Sequence, residues 1–406
     1  MIDLRAHVKA GDGIWWGQGA AEATPLVDAL LDQIADIGPC RAFCGLSHNT
    51  RLADPPRALA LTSYGAMGTL RSAADRVAVV PGHYSTLPRL FAEGLLPHDV
   101  ALVQVSPPGP DGRCSLGFGV DYTADALRHT RTVIAEINAR MPPCPGADTI
   151  PLDRFAAVVA TDRPLLAATS RSPDDIDAAI AAHVAGLVDD RDTLQLGVGT
   201  LPEAILDALS GHEDLGVHSG MVTDGVLHLV DKGVITGRYK EIDRGVVVAG
   251  TAIGSADLYA ALPSLPVEFR PASYTHHPGV LARLERLVAI NSALQVDLTG
   301  QVGSEVAGGR YLGGIGGQAD FSGAAARTGA RSIIAVRSTT AGHSTIVPSL
   351  TGPVTTARAD VDVVVTEHGV AHLRGCPLPE RAARLAAIAA PEHRDELLRA
   401  AREEDL

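Results

Sequence analysis

The most restrictive feature of this chain is a glycine cluster between two stretches of ordered-looking sequence. A short apolar run, Leu287–Ile290, predicts a buried strand, and Gly313-Gly314-Ile315-Gly316-Gly317-Gln318 follows it. Glycine loses more backbone entropy on folding than any other residue, so four glycines in six residues need a structural reason. One such reason is close approach of backbone N–H groups to a phosphate or a developing oxyanion. The alternative, a flexible surface turn, fits less well because ordered-looking sequence resumes directly after the cluster.

A second glycine loop is predicted to connect a strand to a helix. Thr193–Leu196 has the composition of a short strand, Gly197-Val198-Gly199 forms a tight loop, and a helix is expected from Thr200. Thr200 as N-cap and Glu203 three residues later would make a capping box. A strand, a glycine loop and a helix N-terminus together favour binding of negative charge. A plain α/β connection without a ligand is the alternative.

The two halves of the chain resemble each other. Residues 11–30 and 191–209 share the spacing of an aspartate and two glycines, so that Gly17 corresponds to Gly197 and Gly19 to Gly199. Short β-branched strands alternate with helical segments, which predicts mostly parallel sheets covered on both faces. We therefore expect two related α/β domains, residues 1–180 and 181–406. Chance similarity between two strand–loop–helix units is the alternative.

Charge and composition narrow the classes of partner. The net charge of −13 argues against nucleic acid, which requires a basic surface. No uncharged apolar run reaches the length of a membrane span, and the N-terminal residues lack the apolar core of a secretory leader. Five scattered cysteines predict reduced thiols in a cytoplasmic protein rather than a disulfide framework.

Several runs in order resemble one family, the acetyl-CoA hydrolase/transferase group of class I CoA-transferases, which includes 4-hydroxybutyrate CoA-transferases. The runs are Val103–Gly117, Leu194–Leu206, His218–Gly237, Val288–Glu305, Gly314–Phe321 and Thr355–Gly375. The resemblance covers nearly the whole chain. It implies two CoA-transferase-like α/β domains with the active site between them, coenzyme A as acyl carrier without a metal, and a homodimer.

The resemblance also implies a chemistry. In such enzymes a glutamate carboxylate attacks an acyl-CoA thioester, and an incoming carboxylic acid later takes the CoA. Backbone N–H groups stabilise the developing oxyanions without reorganising. Gly316 and Gly317 are the candidate donors here. The residues expected to contact the cofactor are Gly197, Val198, Gly199, Gly314, Ile315 and Gln318.

This chain departs from the family pattern at two positions. Aligning Tyr274–Pro278 with the family segment Tyr-x-Asn-Asp-Pro places Ser273 where the nucleophilic glutamate is expected. Serine is a poor nucleophile without a neighbouring base. The second departure is His218-Ser219-Gly220, where relatives usually carry His-Thr-Glu.

Three explanations stay open for the missing glutamate. Glu268 could supply the carboxylate, although a solvated strand-end position is the plainer interpretation. His276 or His277 could act as a base in a thioesterase-like reaction, since histidine titrates near neutrality. The chain could also bind acyl-CoA without turnover. A dinucleotide-dependent oxidoreductase is a further alternative, disfavoured because no GxGxxG opens a helix.

Other reactive residue types are expected to be structural. Glu305 could point inward or cap a turn. Cys114 has only Arg113 as a nearby positive charge in the sequence, and the Trp15-Trp16 pair suits a core strand. The histidines His368 and His372 lack a downstream third ligand, so no metal site is predicted.

Overall fold

The computed structural model describes residues 2–168 and 171–403, which form two compact units. Unit 1 comprises the chain up to Ala168 together with Val248–Thr275 and Tyr311–Gly316. Unit 2 comprises the remainder. Because unit 1 includes two later segments, no single cut along the chain separates the units.

The strands are short, and most of them are rich in apolar or β-branched residues. In chain order they are β1 Gly13–Trp16, β2 Cys40–Phe43, β3 Leu59–Ser63, β4 Val77–Val79, β5 Val100–Val105, β6 Arg113–Ser115, β7 Thr132–Asn138, β8 Thr149–Pro151, β9 Phe155–Thr161, β10 Thr193–Leu196, β11 Gly216–Val217, β12 Met221–Val222, β13 Val247–Ala249, β14 Thr251–Ala252, β15 Val267–Phe269, β16 Leu287–Ser292, β17 Gln295–Asp297, β18 Val302–Gly303, β19 Val306–Ala307, β20 Arg310–Tyr311, β21 Arg331–Ala335, β22 Thr339–Thr340, β23 His343–Ser344, β24 Ile346–Val347, β25 Val363–Thr366 and β26 Gly369–His372.

The α-helices lie between these strands and at the C-terminal end. They are α1 Thr24–Ile37, α2 Leu87–Ala92, α3 Asp121–Leu127, α4 Asp175–Ala185, α5 Thr200–Ala208, α6 Asp224–Asp231, α7 Ala256–Ala261, α8 Ala272–Thr275, α9 Pro278–Leu281, α10 Gln318–Thr328, α11 Leu378–Ile388 and α12 Arg394–Glu403.

Unit 1 is built on a seven-stranded parallel sheet with the strand order β4-β3-β2-β1-β5-β7-β9. Helix α1 packs on this sheet because its apolar residues recur every three or four positions and form one buried stripe. That stripe consists of Leu26, Val27, Leu30, Leu31 and Ile34. Trp15 and Trp16 of the central strand β1 are fully buried, as the sequence predicts.

Unit 2 is built on a second sheet with the order β11-β10-β16-β21-β25-β26. Its first five strands are parallel and β26 pairs antiparallel with β25. Helices α9 and α10 pack against β16 through Leu281, Phe321 and Ala325. Helices α11 and α12 bury Leu385 and Leu397 in a separate core cluster.

The two mostly parallel sheets confirm the predicted α/β class. The strands at the two related sequence segments also match, since β1 and β10 are both inner strands of their sheets. A 3-10 turn, Gly19–Ala21, follows β1, whereas helix α5 directly follows the glycine loop after β10. Within the described residues, no helix combines the length and the apolar character that crossing a bilayer requires.

Candidate active site

Two helices of unit 2 begin at the same edge of its sheet. Helix α5 leads from β10 to the neighbouring parallel strand β11, and α10 precedes β21, which is parallel to its neighbour β16. A helix that connects parallel neighbours begins at the carboxyl ends of the strands. The loop Gly197-Val198-Gly199 and the residue Gly317 therefore lie at the carboxyl edge, where ligands of such sheets bind.

The loop before α5 is open rather than packed. Among the residues that the structure describes, a Cβ atom added to Gly197 or Gly199 would meet no atom within 4 Å, and Val198 is 39% exposed. Gly199 is the N-cap of α5 with a φ of +123° and, as a glycine, makes no side-chain capping hydrogen bond. Such a backbone conformation strongly favours glycine, and it leaves N–H groups of the first turn available to an anion.

The capping box expected at this helix is not formed. Thr200 lies in the first turn of α5 rather than at the N-cap. Glu203 instead accepts a hydrogen bond from the N–H of Gly225 at 3.0 Å, and burial raises its pKa. A capping box needs its first residue in an extended conformation, and Gly199 occupies that position here.

A buried amide pair joins the two central strands near this edge. Gln195 of β10 donates to Asn291 of β16 at 3.2 Å, and Asn291 donates back to Gln195 at 3.1 Å. Both side chains are buried and satisfy each other, so the pair fixes the ends of β10 and β16 side by side.

His276 is buried against two glycines of unit 2. A Cβ at Gly317 would lie 2.5 Å from its Nε2 atom, and a Cβ at Gly220 would lie 3.1 Å from Nε2 and Cε1. The ring also meets Phe321 edge-on, with centroids 5.0 Å apart. Gly317 is thus required because the imidazole occupies the space of a side chain. The structure brings together His276, Gly317 and the His218-Ser219-Gly220 departure.

Burial changes what His276 can do. Desolvation is the larger cause and the proximity of His218 the smaller one, and together they lower the pKa of His276 to about 3. The imidazole is therefore neutral and weakly basic near pH 7, and the expectation that it titrates near neutrality is not met. The physical reason is its enclosure, which the sequence of an apparent loop does not reveal.

The segment before Gly220 runs along the end of β10. The N–H of His218 donates to Leu194 O at 3.0 Å, and Ser219 Oγ donates to Leu196 O at 3.1 Å. His218 and Ser219 are both fully buried. These contacts fix residues 218–220 beside the glycine loop that follows Leu196.

The side-chain amide of Gln318, the first residue of α10, has a buried donor that is not satisfied. Its Nε2 atom is buried and has no hydrogen-bond partner among residues 2–168 and 171–403. A buried donor without an acceptor costs about 1–3 kcal/mol. A ligand that supplies an acceptor beside Gly317 would remove that cost.

Ser273 lies in unit 1 and is engaged with a carboxylate. Its hydroxyl donates to Asp125 Oδ1 at 2.6 Å and its N–H donates to Asp125 Oδ2 at 3.0 Å. Burial raises the pKa of Asp125, while both hydrogen bonds from Ser273 oppose that rise. A carboxylate that holds both donors of one residue anchors the short helix α8.

Two other proposed groups have local partners. Glu268, also in unit 1, is ion-paired with Arg270, whose Nε donates to it at 3.1 Å. His277 is exposed and caps α9 by accepting a hydrogen bond from Gly279 N–H at 3.1 Å. Both arrangements are those of structural residues.

Part of the glycine cluster packs against backbone of its own unit. A Cβ at Gly314 would lie 2.8 Å from Tyr64 O, and one at Gly65 would lie 2.6 Å from Gly313 O. The N–H of Ala66 donates to Gly313 O at 3.0 Å. Gly316 has a φ of +54°, and its carbonyl accepts from Tyr84 N–H at 3.1 Å. In unit 1 these glycines therefore permit close backbone packing.

The remaining candidates have structural surroundings. Glu305 is buried and accepts from Thr355 at 2.9 Å, and burial raises its pKa. Cys114 is buried with a raised pKa, as expected of an unreactive thiol. In the part of the chain that the structure describes, His, Cys, Asp and Glu side chains form no group of three that could hold a metal ion.

Sequence reasoning gave little weight to Gly220 and missed the Gln195–Asn291 pair. The signal for Gly220 was present, because this position departs from a carboxylate in the family motif. Only the three-dimensional neighbourhood distinguishes it from Ser273.

Known proteins resemble this chain along most of its length. The sequence profile described as "Acetyl-CoA hydrolase/transferase N-terminal domain" matches residues 3–168, and that of the C-terminal domain matches residues 254–401. The 4-hydroxybutyrate coenzyme A transferase of Clostridium kluyveri is 42% identical over 330 residues, which cover 80% of this chain and 77% of the relative.

Two solved structures share the fold. RipA from Yersinia pestis superposes with a TM-score of 0.91 at 33% identity, covering 99% of this chain and 96% of RipA. The 4-hydroxybutyrate CoA-transferase from Porphyromonas gingivalis superposes with a TM-score of 0.84 at 35% identity, covering 98% and 95%.

Proposed function

This chain belongs to the acetyl-CoA hydrolase/transferase family and is an enzyme of that kind, and we propose that it moves an acyl group or CoA between a thioester and a small carboxylic acid or water. The candidate substrates are short acyl-CoA esters, including that of 4-hydroxybutyrate, which the relative from C. kluyveri is named for. The expected cytoplasmic location stays a prediction.

The observation that carries the proposal is the arrangement at the N-terminal end of α10 in unit 2. Gly317 caps this helix without a side-chain partner, His276 fills the space above it, and Gln318 Nε2 has no acceptor within the described chain. A thioester carbonyl that gains negative charge on its oxygen would be stabilised by these N–H donors. The open loop Gly197-Val198-Gly199 lies at the same sheet edge and suits another negatively charged part of the substrate.

Two positions of this chain, 220 and 273, are candidates for the place that the family's glutamate would occupy. Gly220 lies beside His276, whose ring also touches Gly317, whereas the hydroxyl of Ser273 is held by Asp125 within unit 1. This geometry favours residue 220 as the position from which a family glutamate would reach the thioester. The hypothesis that Ser273 itself replaces the nucleophile is the weaker one, because its bonding to Asp125 accounts for its placement.

With glycine at position 220, the first attack on the thioester can come from the acceptor substrate itself. An acceptor carboxylate can attack the carbonyl carbon and expel the thiolate of CoA, which gives a mixed anhydride. The thiolate then attacks the acceptor carbonyl and releases the original acid. Attack by water gives the free acid and the thiol instead. Neutral His276 borders this site without taking up a proton near pH 7.

The activity is tested by incubating the protein with a panel of short acyl-CoA esters, once with acetate and once with water alone. We expect either a new acyl-CoA, which mass spectrometry detects, or free CoA thiol, which a thiol reagent detects. If neither product forms from any ester of the panel, the enzymatic proposal fails.

The position of the carboxylate is tested by substitution. We expect Gly220→Glu to raise acyl exchange by at least about tenfold, since each 1.4 kcal/mol of barrier corresponds to one factor of ten. Gly220→Gln is the matched control, because it has the same size and the same crowding against His276 without a charge. Ser273→Glu and Ser273→Gln form the second pair. A gain at residue 273 and none at residue 220 would contradict our assignment.

A second candidate function is binding of acyl-CoA without turnover. It is favoured by the absence of a carboxylate at both positions 220 and 273. Calorimetry separates the two functions, because a pure binder would take up CoA esters, and Gly220→Glu would be needed for any exchange.

A further inference from the structure

Attack by water on the thioester needs a base, whereas attack by a carboxylic acid does not. An acceptor carboxylate already carries its negative charge, but a water molecule has to lose a proton as it attacks. His276 is a weak base, because burial and His218 lower its pKa to about 3. Hydrolysis therefore requires a second ionisable group at the carboxyl edge of the unit 2 sheet.

Glu305 lies at this edge of the sheet. Its neighbour Ser304 donates through Oγ to the carbonyl of Ser292, the last residue of β16, at 3.3 Å. Helix α10 packs against β16 as well, and Gly317 is its N-cap at the carboxyl edge. Glu305 and Gly317 both belong to unit 2. The carboxyl group and the proposed oxyanion donors thus lie at one edge of the same unit.

One oxygen of the Glu305 carboxyl group is held by Thr355. The Thr355 hydroxyl accepts from the N–H of Ser304 at 2.8 Å and donates to Glu305 Oε1 at 2.9 Å. Because Oε1 is an acceptor in this bond, a proton on the carboxyl group sits on Oε2. Glu305 is only 2% exposed, yet the described residues make no hydrogen bond to Oε2. Oε2 is therefore the atom at which this group would exchange a proton with a bound molecule.

The surroundings of Glu305 supply no charge that would explain a carboxyl group. Residues 298–309 and 344–357 are joined by a bridge between Val302 and Thr356, and Glu305 is the only ionisable residue in either range. Burial raises the pKa of Glu305, and the bond from Thr355 opposes that rise. The ionisable residues that flank the two ranges are Asp297, Arg310, His343 and Arg358. A carboxyl group buried without an opposite charge is costly, and such groups are concentrated at functional sites.

We propose that Glu305 is the general base for hydrolysis of the acyl-CoA, an assignment that rests on the proposed function. Oε2 takes a proton from water while the water oxygen forms its bond to the thioester carbonyl carbon. The bond between carbon and sulfur then breaks, and the proton on Oε2 passes to the departing thiolate. The products are the free acid and the CoA thiol, and the Glu305 carboxylate is restored. Thr355 is a positioning residue, because it holds Oε1.

Hydrolysis and acyl exchange, measured side by side with the same ester, test the assignment. Glu305→Gln keeps the size of the side chain and an acceptor for Thr355, but it cannot take up a proton. We expect hydrolysis to fall at least about a hundredfold, while exchange into acetate stays within about threefold of the native rate. Glu285→Gln, at an exposed position of the same unit, is the matched control and should leave both rates unchanged.

The results separate this assignment from the proposed function. If the native chain neither hydrolyses nor exchanges any ester, the proposed function fails and the assignment fails with it. If the native chain exchanges acyl groups, the assignment alone is overturned by absent hydrolysis, by native hydrolysis in Glu305→Gln, or by an equal loss of both reactions. If the native chain only hydrolyses, calorimetric binding of the CoA ester replaces exchange as the quantity that Glu305→Gln should preserve.

The pH dependence of hydrolysis is a second test. A base acts when it is ionised, so hydrolysis should rise with pH as Glu305 loses its proton and then level off. The bond from Thr355 lowers the pKa of Glu305, so Thr355→Val should move the midpoint of this rise to higher pH. Thr355→Ser keeps a hydroxyl and should restore the native midpoint. Equal midpoints for Thr355→Val and the native chain, followed through the thioester absorbance, overturn the assignment.

Discussion

At the scale of single residues, two glycines of α10 have opposite surroundings. A Cβ at Gly317 would lie 2.5 Å from the buried His276 ring, whereas the one close neighbour of a Cβ at Gly323 among the described residues would be the far end of the flexible Arg327 side chain, with Asp360 Oδ2 at an ordinary 3.6 Å. We therefore expect Gly317→Ala to lower the free energy of unfolding by about 1–3 kcal/mol, the usual cost of overpacking. Gly323→Ala should be neutral or stabilise by up to about 1 kcal/mol, because alanine favours a helix. Urea titration of both variants measures the difference.

If Gly317→Ala proved as stable as Gly323→Ala, His276 would not occupy the space above the helix end. Acyl exchange by Gly317→Ala provides a second measurement, and we expect it to fall because the ring and the N–H donors would shift together.

The sequence predicted that the glycine cluster has a structural reason, but it did not predict the reason for each glycine. Gly65 and Gly314 permit close contact between the backbone around Tyr64 and that of Gly313–Gly314, while Gly317 makes room for an imidazole. The neighbours are far away in the sequence, so spacing along the chain cannot distinguish the two reasons. The pKa of His276 was misjudged for the same cause, since burial is a property of the folded chain.

At the scale of elements, one lysine holds β11 in place. Lys240 is 1% exposed, and its ammonium group donates to Val217 O at 3.0 Å and to Val246 O at 2.8 Å. Val217 ends β11 and directly precedes His218. Lys240→Met keeps the length of the side chain but leaves the buried carbonyl of Val217 and the part-buried carbonyl of Val246 without this donor. We expect the free energy of unfolding to fall by about 1–3 kcal/mol, the cost of one buried unsatisfied group.

The exposed Lys232 is the matched control for that substitution, and Lys232→Met should change the stability by less than about 1 kcal/mol. Equal unfolding midpoints for Lys240→Met and the native chain would show that the Lys240 ammonium contributes nothing to the packing of β11.

Elements with a strong local pattern could be predicted, and those defined by distant contacts could not. Val100–Val105 and Thr193–Leu196 are strands at the expected residues because short apolar runs suit a buried parallel sheet. The two-residue strands β18 and β24 have no such pattern and form through pairing with other segments. Strand β17 pairs with both, and Val302 of β18 also forms a bridge with Thr356. The capping box at Thr200 was wrong because Gly199 takes the N-cap position.

At the scale of the whole molecule, buried titratable groups in the two units act in opposite directions. Burial raises the pKa of Glu22 in unit 1 from 4.5 to about 7 and that of Asp121 from 3.8 to about 6. Both favour the folded chain when protonated, so the stability they contribute is lost as the pH rises through these values. Burial lowers the pKa of His276 in unit 2 from 6.5 to about 3, so its contribution is lost as the pH falls below 6.5.

Substitution of Glu22 separates these opposing effects. Glu22→Gln keeps the shape and an acceptor for Ser47 but cannot ionise, so it removes the cost of a buried charge at high pH. We expect the stability of the variant relative to the native chain to rise by about 1–3 kcal/mol between pH 5 and pH 8, as each unit of pKa shift corresponds to 1.36 kcal/mol. Glu93→Gln, at an exposed position in the same unit, should show no such trend. Thermal melts of the three proteins across this range measure the trend. Parallel curves for Glu22→Gln and the native chain would show that the pKa of Glu22 is not raised in the folded chain, because only a carboxyl group whose pKa differs between the folded and unfolded states makes the stability difference depend on pH.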